Sequence, residues 1–274
     1  MPANSSRVRQ RLQTSRARIV RYWLSRLFGA RLQKSQIVYF VDVGDARYKR
    51  ILLRDSQLAR SIQENLERFG ESDRFPRFVT TYEHEVWVEF VEGEAVSAAD
   101  EATVRGVAEF YGDVYARGAR RVALRDTPFP GRLGSDLNFL REVGVLDEQV
   151  YEGLCRASQR LAPEQVWLGF DYTDAVLKNF VRRPGSGRIC AVDVESLECD
   201  QLLGFGLGKA FVRWLEPQRK FFLECLENSP APDLRESLEY AELCFLAFWT
   251  KMGFLEQKWR YVDAGHFERF LKAE

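Results

Sequence analysis

The feature that most constrains this chain is an acidic segment followed by a predicted hairpin in its C-terminal half. Asp174 and Asn179 stand five positions apart, and the apolar residues directly after them predict a short strand. A Pro-Gly-Ser-Gly stretch then predicts a tight turn, and residues 188–192 predict the returning strand. Asp193 ends that strand, 19 residues after Asp174. A loop, a strand, a turn and a strand in this order predict that these three side chains converge, although a surface hairpin with an Asp at each end has the same pattern.

This arrangement resembles the catalytic loop and metal-binding segment of the protein-kinase-like phosphotransferase superfamily, within it the atypical bacterial branch of aminoglycoside, choline and lipopolysaccharide-core kinases. The resemblance implies that Asp174 orients the attacking hydroxyl and accepts its proton. It implies that Asn179 and Asp193 hold Mg²⁺ against the phosphates of ATP, and that Glu195 assists them. Lys178, beside the Asn, is a candidate for neutralising the transferring phosphoryl group, or else an ordinary solvated lysine.

The first hundred residues have the layout of a kinase-like N-lobe. Residues 36–91 predict two strands, a helix capped by Ser56, and two more strands. The run that ends this region resembles the hinge strand of the family, which implies that backbone groups between Glu89 and Val91 receive the adenine. Without that context the run reads as an edge strand leaving a sheet.

Other positions depart from the family pattern. By register, the lysine that binds the nucleotide falls on Arg54, an arginine that can clamp phosphates in a bidentate way. Lys49 is the other candidate and is expected on the opposite face of the strand. Glu64 and Glu67 are candidates for the ion-pair partner on the helix, although both lie opposite the apolar stripe. Gly44 is the only glycine between the first two strands, and Tyr172 stands where the family most often has His.

The remainder of the chain predicts a mostly helical lobe. Together the patterns predict an α+β, two-lobed protein-kinase-like fold with a small antiparallel-sheet N-lobe carrying one helix, and a larger helical C-lobe. The predicted boundaries are an arm over 1–34, the N-lobe over 35–94, and the C-lobe with catalytic loop and hairpin over 95–274. The helices predicted in the C-lobe cover 98–115, 137–146, 147–161, 211–226 and 234–252.

The N-terminal arm has a separate character. Nine basic residues precede the first acidic one, Asp42, and the rest of the chain carries 31 basic and 40 acidic residues, a net charge of about −9. Residues 7–28 predict a basic amphipathic helix, which suits an anionic membrane surface or glycolipid reached through residues 7–34. Packing of the arm's aromatic residues on the domain and a mitochondrial targeting peptide are the alternatives. Nucleic acid is not an expected partner, because the basic charge is confined to the arm and the body is acidic.

Cysteine usage and hydropathy favour a cytoplasmic protein, peripheral at the inner face of the membrane at most. Five cysteines include no CxxC pair, as expected of reduced thiols. No run of 18 apolar residues predicts a transmembrane helix. With only two histidines, a zinc site is not expected.

The predicted function is therefore an ATP- and Mg²⁺-dependent kinase that transfers a phosphoryl group to a hydroxyl of a sugar or glycolipid, such as a lipopolysaccharide-core sugar. Two alternatives remain. The departures in the N-lobe favour a pseudokinase that acts as a binding or scaffold protein. The acidic body would suit an aminoglycoside-type kinase, which needs an acidic cleft for a polycationic substrate.

Overall fold

A computed structural model describes residues 8–15, 19–20, 22–23 and 36–272 of the chain. The chain divides into two compact units. Unit 1 comprises the residues up to Ala95 together with Val181–Glu195, and unit 2 comprises Val96–Phe180 with Ser196–Glu274. The segment that carries Asp193 therefore belongs with the N-terminal strands.

The fold class is α+β, as predicted. The strands of the described part are β1 Val8–Leu12, β2 Ile37–Val43, β3 Ala46–Leu52, β4 Phe78–Tyr82, β5 Glu85–Glu89, β6 Glu94–Ala95, β7 Arg120–Ala123, β8 Gln165–Tyr172, β9 Phe180–Arg182, β10 Ile189–Ala191 and β11 Leu197–Leu202. The α-helices there are α1 Ser56–Phe69, α2 Glu101–Ala116, α3 Phe129–Glu142, α4 Glu148–Leu161, α5 Phe205–Ala210, α6 Arg219–Glu227, α7 Leu238–Leu255 and α8 Glu268–Leu271. None of the described helices is both long and apolar enough to cross a bilayer.

Unit 1 is built on a five-stranded antiparallel sheet with the order β1-β2-β3-β5-β4. Side chains alternate between the faces of a strand, and the buried face includes Ile51, Val86 and Val88, all with 0 % exposure. Helix α1 packs against β4 and β5. The two strands, the helix and the two further strands predicted here are confirmed in that order.

The start of helix α1 differs from the prediction by one residue. The side chain of Asp55, not Ser56, caps the helix by accepting a hydrogen bond from the backbone N–H of Leu58 at 2.9 Å. Leu58 itself is 42 % exposed. The buried stripe is made by Ala59, Ile62, Leu66 and Phe69.

The predicted basic helix over residues 7–28 is wrong for residues 8–12. These residues form β1, which pairs with β2 from Val8 opposite Val43 to Leu12 opposite Tyr39. The edge of β2 offers unpaired backbone groups, and pairing with them outweighs helix propensity. Residues 19–20 and 22–23 are helical, and the rest of the predicted arm helix lies outside the described residues.

The predicted hairpin is confirmed as strands β9 and β10, which form a small antiparallel sheet with β6. Gly185 and Gly187 have φ angles of 79° and 67°, in the left-handed region that favours glycine. The backbone N–H of Arg183 donates to the carbonyl of Arg188 at 2.9 Å across the turn.

Unit 2 is mainly helical but also contains a three-stranded antiparallel sheet, β11-β8-β7, that was not predicted. Helix α7 runs through its core, and α3 and α5 pack on it. The helix predicted over 211–226 is instead broken into a π-helical turn over Phe211–Leu215, a 3₁₀ turn that contains Pro217, and α6. A proline inside a helix removes a backbone donor and clashes with the preceding turn, which accounts for the break.

Candidate active site

The turn after strand β8 brings the side chain of Asn179 back onto Asp174. The backbone N–H of Val176 donates to the carbonyl of Asp174 at 2.8 Å, and that of Asn179 donates to the carbonyl of Val176 at 2.9 Å. The Asn179 amide nitrogen donates to the Asp174 carbonyl at 2.9 Å and to its Oδ2 at 3.2 Å. The five-residue spacing thus joins two polar side chains in one local network, and the amide oxygen of Asn179 keeps its acceptor capacity.

Sequence reasoning missed Lys209, whose ammonium contacts Oδ1 of Asp174. The lysine lies on helix α5, 35 residues after the aspartate. The two side chains are 22 % and 17 % exposed, so the ion pair is partly open to solvent. The signal that points to it is the glycine-rich run just before Lys209, because glycines in a short helix mark close packing.

Asp171 joins strand β8 to helix α5. Its carboxylate accepts hydrogen bonds from the backbone N–H of Gly206 at 2.8 Å and from the hydroxyl of Tyr115 at 3.1 Å. Burial raises the pKa of Asp171 to about 7, although these hydrogen bonds act in the opposite direction. A Cβ atom at Gly206 would lie 2.1 Å from the carbonyl oxygen of Tyr172, so only glycine allows this approach.

Tyr172, at the position where the family most often has His, is part of the core. The side chain has 0 % exposure. Its ring lies 5.6 Å from that of Phe110 and 5.6 Å from that of Phe180. Its backbone carbonyl accepts a hydrogen bond from the Tyr111 hydroxyl at 2.8 Å. The aromatic contacts therefore fix the strand end that carries Asp174.

In unit 1, the hairpin is fixed by a buried arginine. Arg74 is 2 % exposed, and its guanidinium donates to the carbonyl of Ile189 at 3.2 Å. In return, its own carbonyl accepts from the backbone N–H of Ala191 at 2.9 Å. Every residue of β10 is buried, so the position of the chain is set where it reaches Asp193.

Lys49 meets the same acidic segment from strand β3. Its ammonium donates to the carbonyl of Val192 at 2.8 Å and lies 3.9 Å from a carboxylate oxygen of Glu195. The side chain is 14 % exposed. Lys49 shares the buried face of the strand with Ile51, which has 0 % exposure.

Arg54 and Glu64 are placed differently. Arg54 lies beyond the end of β3, its side chain is 47 % exposed, and it pairs with the neighbouring Asp55. Glu64 is exposed on helix α1. Among the described residues no ion pair joins Glu64 to Arg54 or Lys49. The predicted register was wrong because β3 ends at Leu52, and it is Lys49 that reaches the acidic segment.

Among the described residues, one backbone N–H of the predicted hinge is unpaired. The N–H of Glu89 donates to the carbonyl of Arg77 at 2.9 Å, and that of Phe90 donates to the carbonyl of Arg47 at 3.0 Å. In the described part of the chain no backbone carbonyl accepts the N–H of Val91. Of the two hinge residues predicted to meet adenine, Val91 therefore retains the donor and Glu89 does not.

The last predicted site residue, Lys178, has an exposed side chain. No ion pair or hydrogen bond of Lys178 occurs with the part of the chain that the structure describes. Its contribution to phosphoryl transfer stays a prediction.

Comparison with solved structures identifies the architecture. A choline kinase from Streptococcus pneumoniae superposes with a TM-score of 0.61 at 15% identity, covering 93% of this chain and 97% of that one. An ethanolamine kinase from Plasmodium vivax gives 0.62 at 11% identity, covering 91% and 86%. An aminoglycoside phosphotransferase in complex with ADP and hygromycin B gives 0.61 at 15% identity, covering 93% and 99%. The fold is protein-kinase-like. No protein-family model and no curated protein matches the sequence.

The environment of Glu195 shows whether the acidic segment of unit 1 suits the Mg²⁺ that a protein-kinase-like fold implies. The side chain is 6 % exposed, and neither carboxylate oxygen has a hydrogen-bond partner in the described part of the chain. Burial raises the pKa of Glu195 to about 8; Lys49 opposes this shift and Asp193 adds to it. Two neighbouring acidic groups, one with unsatisfied buried oxygens, fit a site that gains a cation.

The number of protein ligands also fits Mg²⁺. No cluster of three or more metal-ligating His, Cys, Asp or Glu side chains occurs in the described residues. Mg²⁺ is usually held by one or two carboxylates together with waters and substrate phosphates, so a complete protein cage is not needed. Within unit 1, Asp193 and Glu195 are the carboxylates that would hold it.

Proposed function

We propose that this chain is an ATP- and Mg²⁺-dependent phosphotransferase that phosphorylates a hydroxyl group of a sugar or glycolipid. The observation that carries the proposal is the pairing of Asp174 with Asn179 at 3.2 Å, in a chain that also holds Lys49 beside Asp193 and Glu195. These are the groups that phosphoryl transfer requires, namely a base, metal ligands and a phosphate-binding cation.

Each side chain has a role in one balanced step. The acceptor oxygen bonds to the γ-phosphorus, the bond from that phosphorus to the bridging oxygen of ADP breaks, and the hydroxyl proton passes to Asp174. Lys49 neutralises nucleotide phosphates, and Val91 binds the adenine through its backbone N–H. Bound Mg²⁺ supplies charge neutralisation on the phosphates.

Lys49 is preferred to Arg54 as the phosphate-binding cation. The Lys49 ammonium already lies 3.9 Å from the Glu195 carboxylate, whereas Arg54 pairs with Asp55 near solvent. A lysine serves phosphates as a compact point charge. Arg54 remains the alternative phosphate-binding cation, and substitution of each residue in turn distinguishes it from Lys49.

The acceptor class rests on the basic N-terminal arm. Nine basic residues before Asp42 would attract an anionic surface, which suits a lipopolysaccharide-core sugar and a cytoplasmic protein at the inner face of the membrane. A choline kinase, an ethanolamine kinase and a phosphotransferase bound to hygromycin B share the fold, which supports transfer to a small hydroxyl acceptor.

The test is ADP formation from Mg·ATP by the full chain, with Asp174→Asn as the matched variant. A phosphotransferase forms ADP, and the variant loses that activity. The absence of ADP formation and of nucleotide binding would support the pseudokinase alternative, which the single glycine between β2 and β3, Gly44, favours.

A further inference from the structure

We propose that Lys209 is a specificity-determining residue that makes the site select a neutral or anionic acceptor and reject a cationic one. The inference rests on the proposed phosphotransferase function and goes beyond it by assigning the charge class of the acceptor. It starts from the contact between the Lys209 ammonium and Oδ1 of Asp174.

The position of Lys209 is set by the packing of helix α5. The backbone N–H of Gly206 donates to buried Asp171 at 2.8 Å, which ties the helix to strand β8. A Cβ atom at Gly208 would lie 2.6 Å from the ring of Phe245, so the helix also packs closely on α7. A lysine on a helix fixed in two directions places its charge reproducibly.

Both oxygens of Asp174 have partners within unit 2. Lys209 contacts Oδ1, and the Asn179 amide donates to Oδ2 at 3.2 Å. A base must lie within hydrogen-bond reach of the proton that it accepts, so the reacting hydroxyl must approach the Asp174–Lys209 pair. The carboxylate that would attract a cationic acceptor is therefore already neutralised, and the approaching molecule meets an ammonium group.

The other carboxylates close to this segment compensate little. Asp171 is buried and engaged by Tyr115 and Gly206. Glu198 accepts from Thr173 at 3.4 Å but is exposed and also binds the amide of Gln201 at 3.1 Å. An exposed carboxylate is screened by water and salt more than the partly buried pair. The balance of charge around Asp174 therefore opposes the approach of a cationic acceptor beside Lys209.

This charge distinguishes the chain from an enzyme for cationic alcohols. Choline and ethanolamine carry a positive charge two carbons from the hydroxyl. Once that hydroxyl reaches Asp174, their cation must lie within a few ångströms of the Lys209 ammonium. Like charges at such distances repel strongly where water is partly excluded. A neutral sugar is not repelled, and an anionic group would be attracted.

The transfer step is unchanged by the assignment. The acceptor oxygen bonds to the γ-phosphorus, ADP leaves, and the hydroxyl proton goes to Asp174, while Lys209 keeps its proton throughout.

The experiment compares choline with 3,3-dimethylbutan-1-ol, which has the same shape with carbon in place of the charged nitrogen. The full chain is incubated with Mg·ATP and a high concentration of one alcohol, and the phosphorylated alcohol is measured against inorganic phosphate. We expect wild type to favour the neutral alcohol by at least about tenfold. Lys209→Gln, which removes the charge without adding apolar surface, should bring the two yields within about twofold, and Lys209→Arg should keep the preference.

Lys220→Met is the control for loss of a lysine elsewhere in unit 2. Lys220 is 93 % exposed and pairs only loosely with Glu224 at 4.0 Å, so the preference should equal that of wild type. Equal yields of the two phosphorylated alcohols from wild type overturn the assignment. The absence of both products while ATP is still hydrolysed overturns it as well. A preference unchanged in Lys209→Gln also overturns it. Absence of any ADP with wild type refutes the phosphotransferase function instead, so the two failures are distinguishable.

Discussion

The ammonium of Lys49 donates to the backbone carbonyl of Val192 at 2.8 Å, although the two residues are 143 positions apart in sequence. The contact places a cation from the face of strand β3 that also carries buried Ile51 at the residue before Asp193. It also brings that cation within 3.9 Å of the buried carboxylate of Glu195. A phosphate-binding lysine and metal-binding acids need this proximity, because they act on the same group of a nucleotide.

Lys49→Met should weaken binding of Mg·AMP-PNP by about 10- to 100-fold, since a hydrogen bond to a charged group contributes roughly 1.5–3 kcal/mol. Arg54→Met should leave the affinity within about twofold, because Arg54 pairs with Asp55 near solvent. Isothermal titration calorimetry of both variants decides between the two candidates. The reverse ranking would return the role to Arg54.

Asp174→Asn should lower turnover by roughly 10²–10⁴-fold while leaving the Mg·AMP-PNP affinity nearly unchanged. The reason is that a general base acts on the acceptor proton in the transition state and does not bind the nucleotide. Single-turnover ADP formation and nucleotide titration on the same preparation measure the two effects. An equal loss of both would mean that Asp174 has another role.

Asp193→Asn should abolish Mg²⁺-dependent nucleotide binding without destabilising the free protein. The carboxylate of Asp193 contributes to the raised pKa of its buried neighbour Glu195, so removing its charge relieves repulsion. Urea denaturation without nucleotide should give a free energy of unfolding equal to or slightly above that of wild type. Marked destabilisation would identify a structural aspartate.

Asp171 predicts a specific pH dependence of stability. Its folded pKa of about 7 lies above the ordinary value of 3.8, so its stabilising contribution is present below about pH 4 and is lost as the pH rises through 7. Asp171→Asn cannot ionise. The free energy of unfolding of the variant minus that of wild type should therefore increase between pH 4 and pH 7.5, by up to roughly 4 kcal/mol. Denaturation curves at four pH values measure this, and a constant difference would contradict it.

The N-terminal arm should bind anionic vesicles at low salt and release them at high salt, because each basic residue near such a surface contributes about 1 kcal/mol. Val20 and Trp23 are 58 % and 52 % exposed, whereas Tyr22 is buried. Co-sedimentation of the full chain and of a chain lacking residues 1–30 measures the arm's contribution. Loss of solubility in the truncated chain, with no vesicle binding by the full one, would favour packing of the arm on the protein.

The N-lobe pattern and the hairpin could be predicted because they depend on local signals. Alternation of apolar residues predicts strands, and the glycines at positions 185 and 187 predict the turn between β9 and β10. The register of one strand end was less secure. The prediction extended β3 by two residues to Arg54, and it therefore favoured an exposed cation over the partly buried Lys49, since strand faces alternate at every residue.

The unpredicted features depend on contacts between distant segments. Strand β8 is covered by β7 and β11, whose pairing is set by the tertiary fold and not by local pattern. Lys209 reaches Asp174 across 35 residues, and only the packing of α5 brings them together. The glycines at positions 206 and 208 are the sequence signal for the close packing of α5, but in a single sequence the same glycines are equally typical of a flexible turn.

The most direct test of the account is the thermal stability of the full chain with AMP-PNP, with and without Mg²⁺. A ligand at 100 times its Kd stabilises the folded state by about 2.7 kcal/mol, which corresponds to a rise in Tm of roughly 5 to 10 °C for a chain of this size. We expect such a rise for wild type and Asp174→Asn only when Mg²⁺ is present. At the same concentrations we expect a rise at most about half as large for Lys49→Met, whose affinity is reduced, and no rise for Asp193→Asn. An unchanged Tm for wild type at saturating Mg·AMP-PNP would contradict the assignment of a nucleotide-dependent phosphotransferase.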